Sequence, residues 1–175
     1  GIGCALFKQL MAGHIYLVGF MASGKSTVGR LLASAIGRPF IDTDLEIEKR
    51  FGASIQHIFS TEGEVVFRRM EKDLLLELSS TKEECVIATG GGMVLIDGAL
   101  DVMKSSGQVF FLKRSLKQIL PILRKDNDRP LATNKGKKEL YLKYKARLKT
   151  YRKANFRICN RNEQTALNKI LKQIK

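Results

Sequence analysis

The chain has 175 residues, of which 44% are hydrophobic and 27% are charged, close to the averages for globular proteins. These values favour neither a fibrous nor an intrinsically disordered class, and they predict one domain with its own hydrophobic core. The net charge of +14 is unevenly placed, because residues 1–112 hold 11 Lys and Arg against 13 Asp and Glu, whereas residues 113–175 hold 20 against 4. A basic surface attracts nucleic acids, nucleotide phosphates and anionic metabolites alike, so charge alone does not identify the partner.

The cysteines and the amino-terminal residues bear on location. Cys4, Cys85 and Cys159 are odd in number and far apart, which fits neither a disulfide framework nor a metal site. No stretch approaches the ~20 apolar residues that cross a bilayer, and residues 1–13 lack the basic start and cleavage site of a signal peptide. We therefore expect a cytoplasmic protein without membrane contact, in which residues 1–13 are a leader or extension without function and residues 14–175 form a single domain.

Hydrophobic patterns predict alternating strands and helices. In chain order, a strand is predicted over residues 14–18, a helix over 26–36, a strand over 39–41, and helices over 45–51, 55–59 and 62–80. The pattern continues with a strand over 85–88, a strand over 109–112, helices over 116–123 and 139–153, and a last strand over 156–159. Such alternation is typical of a parallel sheet covered by helices on both faces, so the predicted fold class is α/β.

The helical pattern is lost between residues 124 and 138, a polar and basic stretch that contains Arg129 followed by proline. Loops of this length are uncommon in compact domains and often serve as active-site lids. We therefore predict a mobile lid here.

Residues 19–26 read GFMASGKS and match the phosphate-loop pattern G-x-x-x-x-G-K-[ST] at every fixed position. The match lies between a predicted strand and a predicted helix, where backbone N–H groups and the helix N-terminus attract phosphate. Lys25 is predicted to bridge the β- and γ-phosphates, and Ser26 to supply a hydroxyl to Mg²⁺. The predicted nucleotide contacts are Gly19, Ala22, Ser23, Gly24, Lys25, Ser26 and Thr27. The loop therefore indicates a nucleoside triphosphate and Mg²⁺ but does not identify the acceptor.

Two carboxylates follow the second predicted strand, in the sequence Asp42-Thr43-Asp44. Ligands of open α/β sheets bind at the carboxyl ends of the strands, so one carboxylate is a candidate to hold Mg²⁺ and the other to orient an attacking hydroxyl. The alternative is that Asp44 only caps the following helix.

Further motifs follow in order. Residues 59–71 read FSTEGEVVFRRME, residues 89–92 read TGGG, Arg129 begins an Arg-Pro-Leu run, and Arg147 lies four residues before Tyr151. Together with the phosphate loop and the Asp-Thr-Asp segment, over about residues 14–159, these motifs resemble the shikimate kinase family. The chain departs from the family pattern at Ala22, where glycine is frequent, and at Ala132, where a leucine is usual.

The resemblance implies a three-layer α/β/α fold of the P-loop NTPase class, similar to nucleoside monophosphate kinases, with a five-stranded parallel sheet. It also implies a substrate-binding region over about residues 42–72 and a lid over about 124–138. The implied reaction transfers the γ-phosphoryl group of ATP to the 3-hydroxyl of shikimate, with Mg²⁺ as cofactor. The implied partners are these two small molecules, without nucleic acid, for a monomeric enzyme.

The resemblance also implies residue roles. Arg68 and Arg147 would clamp the shikimate carboxylate, a task that suits the planar guanidinium fork. Asp44 would accept hydrogen bonds from the ring hydroxyls, including the attacking one, and Asp42 would help to position Mg²⁺. The backbone of Gly90, Gly91 and Gly92 would approach the ring where a side chain would collide.

Two further arginines are assigned to the nucleotide, the first of them by the resemblance. Arg129 on the lid would reach the phosphates and stabilise the charge of the transferring group. Arg124 would stack on the adenine, with Asn160 and Arg161 beside it.

Other interpretations stay open. Arg68 can instead belong to a surface ion-pair ladder with Glu64 and Glu71, and Arg147 to a solvated basic helix face. A gluconate or nucleoside monophosphate kinase would share the ATP half of the site. A nucleic-acid-binding protein would use the basic carboxyl-terminal third and would bind DNA or RNA at physiological salt.

Overall fold

The structure of the chain is a computed structural model, and it describes residues 12–125 and 134–174. The elements run in the order β1 (His14–Val18), α1 (Lys25–Ile36), β2 (Phe40–Asp42), α2 (Thr43–Phe51), α3 (Ile55–Thr61), α4 (Gly63–Ser80), β3 (Val86–Ala88), α5 (Ala99–Ser106), β4 (Gly107–Lys113), α6 (Leu116–Lys125), α7 (Asn134–Tyr151), β5 (Phe156–Cys159) and α8 (Glu163–Gln173). A short 3-10 helix, Met93–Leu95, lies between β3 and α5.

The five strands form one sheet in the order β2-β3-β1-β4-β5, and every neighbouring pair is parallel. This arrangement confirms the α/β class and the five-stranded parallel sheet. In the register, Leu17 of β1 lies opposite Ala88 of β3 and Phe110 of β4, and Asp42 of β2 also lies opposite Ala88. The segments that follow β1, β2 and β3 therefore leave the sheet side by side, at its carboxyl edge.

Side chains on alternate strand positions fill two hydrophobic layers, one on each face of the sheet. On one face, Tyr16 of β1 packs in a cluster with residues of α4 and α5. On the other face, Leu17 packs in a cluster with residues of α1 and α8. Because β1 is buried on both faces, all five of its residues are buried, which explains why its sequence is an apolar run rather than an alternating one.

Several predicted boundaries need correction. Helix α2 begins at Thr43, so its N-cap is Asp42, whose side chain accepts from the backbone N–H groups of Asp44 and Leu45. The capping alternative for Asp44 is therefore wrong. The predicted lid is helical at both ends, since α6 extends to residue 125 and α7 begins at residue 134. Its central part, with Arg129, lies outside the described residues. Helices α5 and α8 were not predicted.

None of the helices in residues 12–125 and 134–174 combines the length and apolar character that a membrane span needs.

Candidate active site

The phosphate loop connects β1 to α1 and has an unusual backbone. Gly24, at the N-cap of α1, has φ 89°, and Ala22 has φ 57°, a left-handed value that is rare for residues other than glycine. The Lys25 ammonium lies across the loop, where it donates to the carbonyls of Gly19 at 2.9 Å and Phe20 at 3.0 Å. Burial lowers the pKa of Lys25 to about 8, although Asp44 and Asp42 oppose this shift.

A cleft of about 380 Å³ opens beside the loop, a size typical of small-molecule sites. Its lining includes the loop residues from Ala22 to Thr27, as the motif predicted, together with Ile122. Two further lining residues, Arg114 and Glu163, were not predicted. Arg124 lies exposed on α6 and is absent from this lining within the described part of the chain, so its contact with adenine stays a prediction.

Asn160, which follows β5, forms a hydrogen bond with the phosphate loop. The side-chain amide of Asn160 donates to the carbonyl of Ser23 at 2.8 Å. A methyl group at Gly24 would lie 2.5 Å from the same amide nitrogen, so the close approach requires glycine there. The sequence had suggested Asn160 only as a neighbour of the adenine, whereas the structure shows it bound to the phosphate loop.

The two predicted magnesium ligands, Ser26 and Asp42, are hydrogen-bonded to each other. Ser26 Oγ donates to Asp42 Oδ2 at 2.5 Å, while Asp42 Oδ1 caps α2. The pair therefore presents a hydroxyl oxygen and a carboxylate oxygen next to the phosphate loop. Mg²⁺ prefers oxygen ligands and is commonly held by one or two carboxylates together with substrate phosphates. The donor set of Ser26 and Asp42 fits such an ion.

Two carboxylates converge on the glycine triplet after β3. A methyl group at Gly90 would lie 2.6 Å from Asp44 Oδ1 and 2.6 Å from Glu71 Oε1. Burial raises the pKa of Asp44, and the nearby Asp42 raises it further, while Lys25 opposes the shift. Burial also raises the pKa of Glu71, against the hydrogen bond from Arg68. Among the described residues Glu71 Oε1 has no hydrogen-bond partner, so a buried acceptor lies unsatisfied next to Gly90.

Two arginines border the next two glycines. A methyl group at Gly92 would lie 2.6 Å from Arg68 Cζ, and one at Gly91 would lie 3.5 Å from Arg147 Nη1. Arg147 donates to the Gly91 carbonyl at 3.2 Å, and the Tyr151 hydroxyl donates to the same oxygen at 2.5 Å. The spacing of Arg147 and Tyr151 thus places both side chains on one carbonyl, so Arg147 does not merely belong to a solvated helix face.

The guanidinium of Arg68 is held by two carboxylates of its own helix, α4. Arg68 donates to Glu71 Oε2 at 2.5 Å and to Glu64 Oε1 at 3.1 Å. These pairs are the ones that the ion-pair interpretation predicted, but Glu71 is only 1% exposed, so the pair is not a surface ladder. The hydrogen bonds instead hold the guanidinium against Gly92.

The structure therefore brings most of the predicted residues to one edge of the sheet. Grouped there are Lys25, Ser26, Asp42, Asp44, Arg68, Gly90, Gly91, Gly92 and Arg147. Glu71 and Tyr151 join them, and the sequence had offered both only as supporting neighbours.

Several known proteins are similar to this chain in sequence or structure. Residues 21–175 match the family model of shikimate kinase. The chain is 42% identical to a shikimate kinase of Aquifex aeolicus over 83% of this chain and 85% of that one, and 39% identical to a shikimate kinase of Persephonella marina over 93% and 99%. A shikimate kinase of Acinetobacter baumannii, solved in complex with shikimate, has a TM-score of 0.86 at 38% identity and covers 96% of each chain. The chain therefore belongs to the shikimate kinase family.

Proposed function

We propose that this chain transfers the γ-phosphoryl group of ATP to the 3-hydroxyl of shikimate, with the phosphate loop binding ATP and the pocket around Gly90 to Gly92 binding the acid. One observation carries the proposal. Two guanidinium groups and two carboxylates surround three consecutive glycines, beside a phosphate loop on the same sheet edge. Guanidinium groups bind the carboxylate of an acid, and carboxylates accept hydrogen bonds from its hydroxyls, so the pocket complements a polyhydroxylated carboxylic acid.

In the nucleotide half, the backbone N–H groups of the loop and the start of α1 bind the phosphates. Lys25, which lies on the carbonyls of Gly19 and Phe20, exchanges these contacts for β- and γ-phosphate oxygens when ATP enters. Ser26 and Asp42 would hold Mg²⁺, which would neutralise charge on the phosphates. Among the described residues no cluster of three or more His, Cys, Asp or Glu could hold a metal, and a Mg²⁺ shared with substrate phosphates needs no such cluster.

In the acid half, Arg68 and Arg147 bind the shikimate carboxylate. Arg68 is already held by Glu64 and Glu71, and Arg147 lies 5.6 Å above the ring centroid of Phe20 while it donates to Gly91. Both forks are therefore oriented before substrate arrives, which reduces the entropy that binding would otherwise cost.

Asp44 receives the attacking hydroxyl. Its buried position raises its pKa above the ordinary value, which makes the ionised carboxylate a stronger proton acceptor. The Lys25 ammonium lies close enough to lower the pKa of Asp44, against the effect of burial. The charge in the phosphate site therefore affects the proton affinity of the carboxylate in the acceptor site. Positioning of the hydroxyl against the γ-phosphorus supplies most of the catalysis.

Residues 124–138 act as the lid in this scheme. Arg124 stacks on the adenine, and Arg129, outside the described residues, contacts the transferring phosphoryl group. Closure excludes water, so that transfer to shikimate outpaces hydrolysis of ATP. We further propose a cytoplasmic, monomeric enzyme that needs no nucleic acid.

The test is a coupled assay of ADP release with ATP and Mg²⁺, comparing shikimate, gluconate, nucleoside monophosphates and no acceptor. We expect release that depends on shikimate. Arg68→Ala is expected to raise the KM for shikimate by about tenfold or more, because a charge-assisted interaction is lost, while the KM for ATP stays unchanged. Arg69→Ala, an exposed neighbour on the same helix, is the matched control and should leave both constants unchanged. Release that depends on another acceptor would overturn the proposal.

A further inference from the structure

Arg114 binds the backbone of the phosphate loop, and no sequence motif indicated it. It follows β4, and its side chain is 10% exposed. Its guanidinium donates to the Ala22 carbonyl at 3.2 Å and to Glu163 Oε1 at 2.9 Å, and its Nε donates to the Asn160 carbonyl at 3.5 Å. A single side chain thus joins the phosphate loop, the end of β5 and the first turn of α8.

These contacts fix the orientation of a peptide group in the loop. The N–H of Ser23 donates to the Phe20 carbonyl at 3.1 Å, and the carbonyl on the other side of the same peptide, that of Ala22, accepts from Arg114. Because a peptide group is planar, a hydrogen bond at each side holds its plane. The held peptide follows Ala22, whose left-handed φ of 57° is unfavourable for alanine, so the loop needs such support more than a loop with glycine there.

The next peptide group is held at its carbonyl. The Ser23 carbonyl accepts from Asn160, so the N–H of Gly24, which lies trans to that carbonyl, points to the opposite side. The backbone of Asn160 in turn accepts from Arg114. Arg114 therefore supports the loop directly at Ala22 and indirectly through Asn160.

We propose that Arg114 is a positioning residue for nucleotide phosphates, which holds the phosphate loop in its anion-binding shape and is itself held by Glu163. Its action passes through the loop backbone and does not require contact with ATP. A loop that is already ordered loses less conformational entropy when phosphate binds. The contacts of Arg114 should therefore lower the Kd for phosphate. The inference rests on the proposed function only in that residues 19–26 bind the phosphates of ATP.

Glu163 distinguishes this role from direct contact with ATP. If Arg114 supports the loop, shortening its anchor with Glu163→Asp frees the guanidinium and weakens phosphate binding. If Arg114 instead leaves Glu163 to contact ATP, the same change releases it and strengthens phosphate binding. Aspartate keeps the charge of glutamate, so the general electrostatic field is the same in both cases.

The experiment is calorimetric titration of the full chain with inorganic tripolyphosphate and Mg²⁺. We expect Arg114→Met to raise the Kd about tenfold, since a hydrogen-bonded cation is lost. Arg114→Lys should raise it severalfold despite its retained charge, because an ammonium cannot reproduce the planar fork. Glu163→Asp should also raise it. Arg157→Met, which removes an exposed arginine on β5, is the charge-matched control and should change the Kd by less than about twofold.

A second readout separates positioning from general stability. Arg114→Met should raise the KM for ATP and leave the KM for shikimate unchanged, whereas partial unfolding would lower the rate without such a split. A Kd for tripolyphosphate that is unchanged in Arg114→Met, or lowered in Glu163→Asp, would overturn the proposal. A chain that binds tripolyphosphate but does not phosphorylate shikimate would count against the proposed function alone.

Discussion

Replacement of Gly92 by alanine is expected to disturb the binding of shikimate through Arg68. The added methyl group would lie 2.3 Å from Nη1 and 2.6 Å from Cζ and Nη2 of Arg68. Ordinary contacts begin near 3.4 Å, so the guanidinium must move by about 1 Å. Because Arg68 is held by Glu64 and Glu71, this movement shifts the fork away from its acid-binding position.

A displacement of ~1 Å in a positioned group can cost up to about a hundredfold, so we expect the KM for shikimate to rise by roughly tenfold to a hundredfold. The KM for ATP should stay within about twofold, since Gly92 lies outside the phosphate loop. The melting temperature should change little, because the end of a partly exposed side chain moves and no backbone atom is struck. Initial rates at saturating ATP and a thermal melt measure these quantities.

A double-mutant cycle of Gly92→Ala and Arg68→Ala tests whether the added methyl group acts through Arg68. When Arg68 is already alanine, the methyl group at Gly92 meets no guanidinium, so Gly92→Ala should have almost no further effect in the Arg68→Ala background. Additive effects of the two changes would show that the methyl group acts on something other than Arg68. Gly91→Ala, whose nearest contacts would lie at 3.5 Å or more, should melt at the wild-type temperature.

Three further predictions follow from the same geometry. The pKa of Lys25 is lowered to about 8, so the ammonium is lost as pH rises and kcat/KM for ATP should fall above about pH 8; a profile that stays flat to pH ~9.5 would contradict this. Burial lowers the pKa of His14, so below about pH 6.5 the unfolded chain binds a proton that the native state does not. As the pH decreases through this range, the free energy of unfolding should fall by at most about 1.4 kcal/mol per pH unit. In denaturant titrations, the free energy of unfolding of His14→Gln should depend less on pH between pH ~5 and ~6.5. Ala22→Gly removes the strain of an alanine in the left-handed conformation, and this gain exceeds the entropic cost of glycine. We expect the free energy of unfolding to rise by about 0.5–1 kcal/mol and the melting temperature by about 1–4 °C. A lower melting temperature would contradict the strain at Ala22.

Local sequence predicted those parts of the fold whose signals are local. The phosphate loop was found because its fixed spacing lies between an apolar strand and a helix, and β5 was predicted with both of its boundaries correct. Helix α5 was missed because it is short and begins after Gly98 in a left-handed conformation without a side-chain cap. Helix α8 did carry a signal, since Asn162 caps it by accepting from the N–H of Thr165 and apolar residues follow at helical spacing.

The acid pocket was predictable only through family motifs, because its members come from α2, α4, α7 and the segment after β3. The support of the phosphate loop was not predictable from sequence. Arg114 contacts Ala22, 92 residues earlier in the chain, and Glu163, 49 residues later. In the sequence Arg114 is one of 20 basic residues in the carboxyl-terminal third, and only tertiary structure distinguishes it from the others.

The most direct test of the central claim is phosphorus NMR of the reaction mixture after incubation of the purified chain with ATP, Mg²⁺ and shikimate. The account predicts one new phosphomonoester whose phosphorus couples to the proton on carbon 3 of the ring, formed in equal amount to ADP. Inorganic phosphate as the sole new product, or a phosphomonoester at another hydroxyl, would contradict the assignment of Asp44, Arg68 and Arg147 to the acceptor.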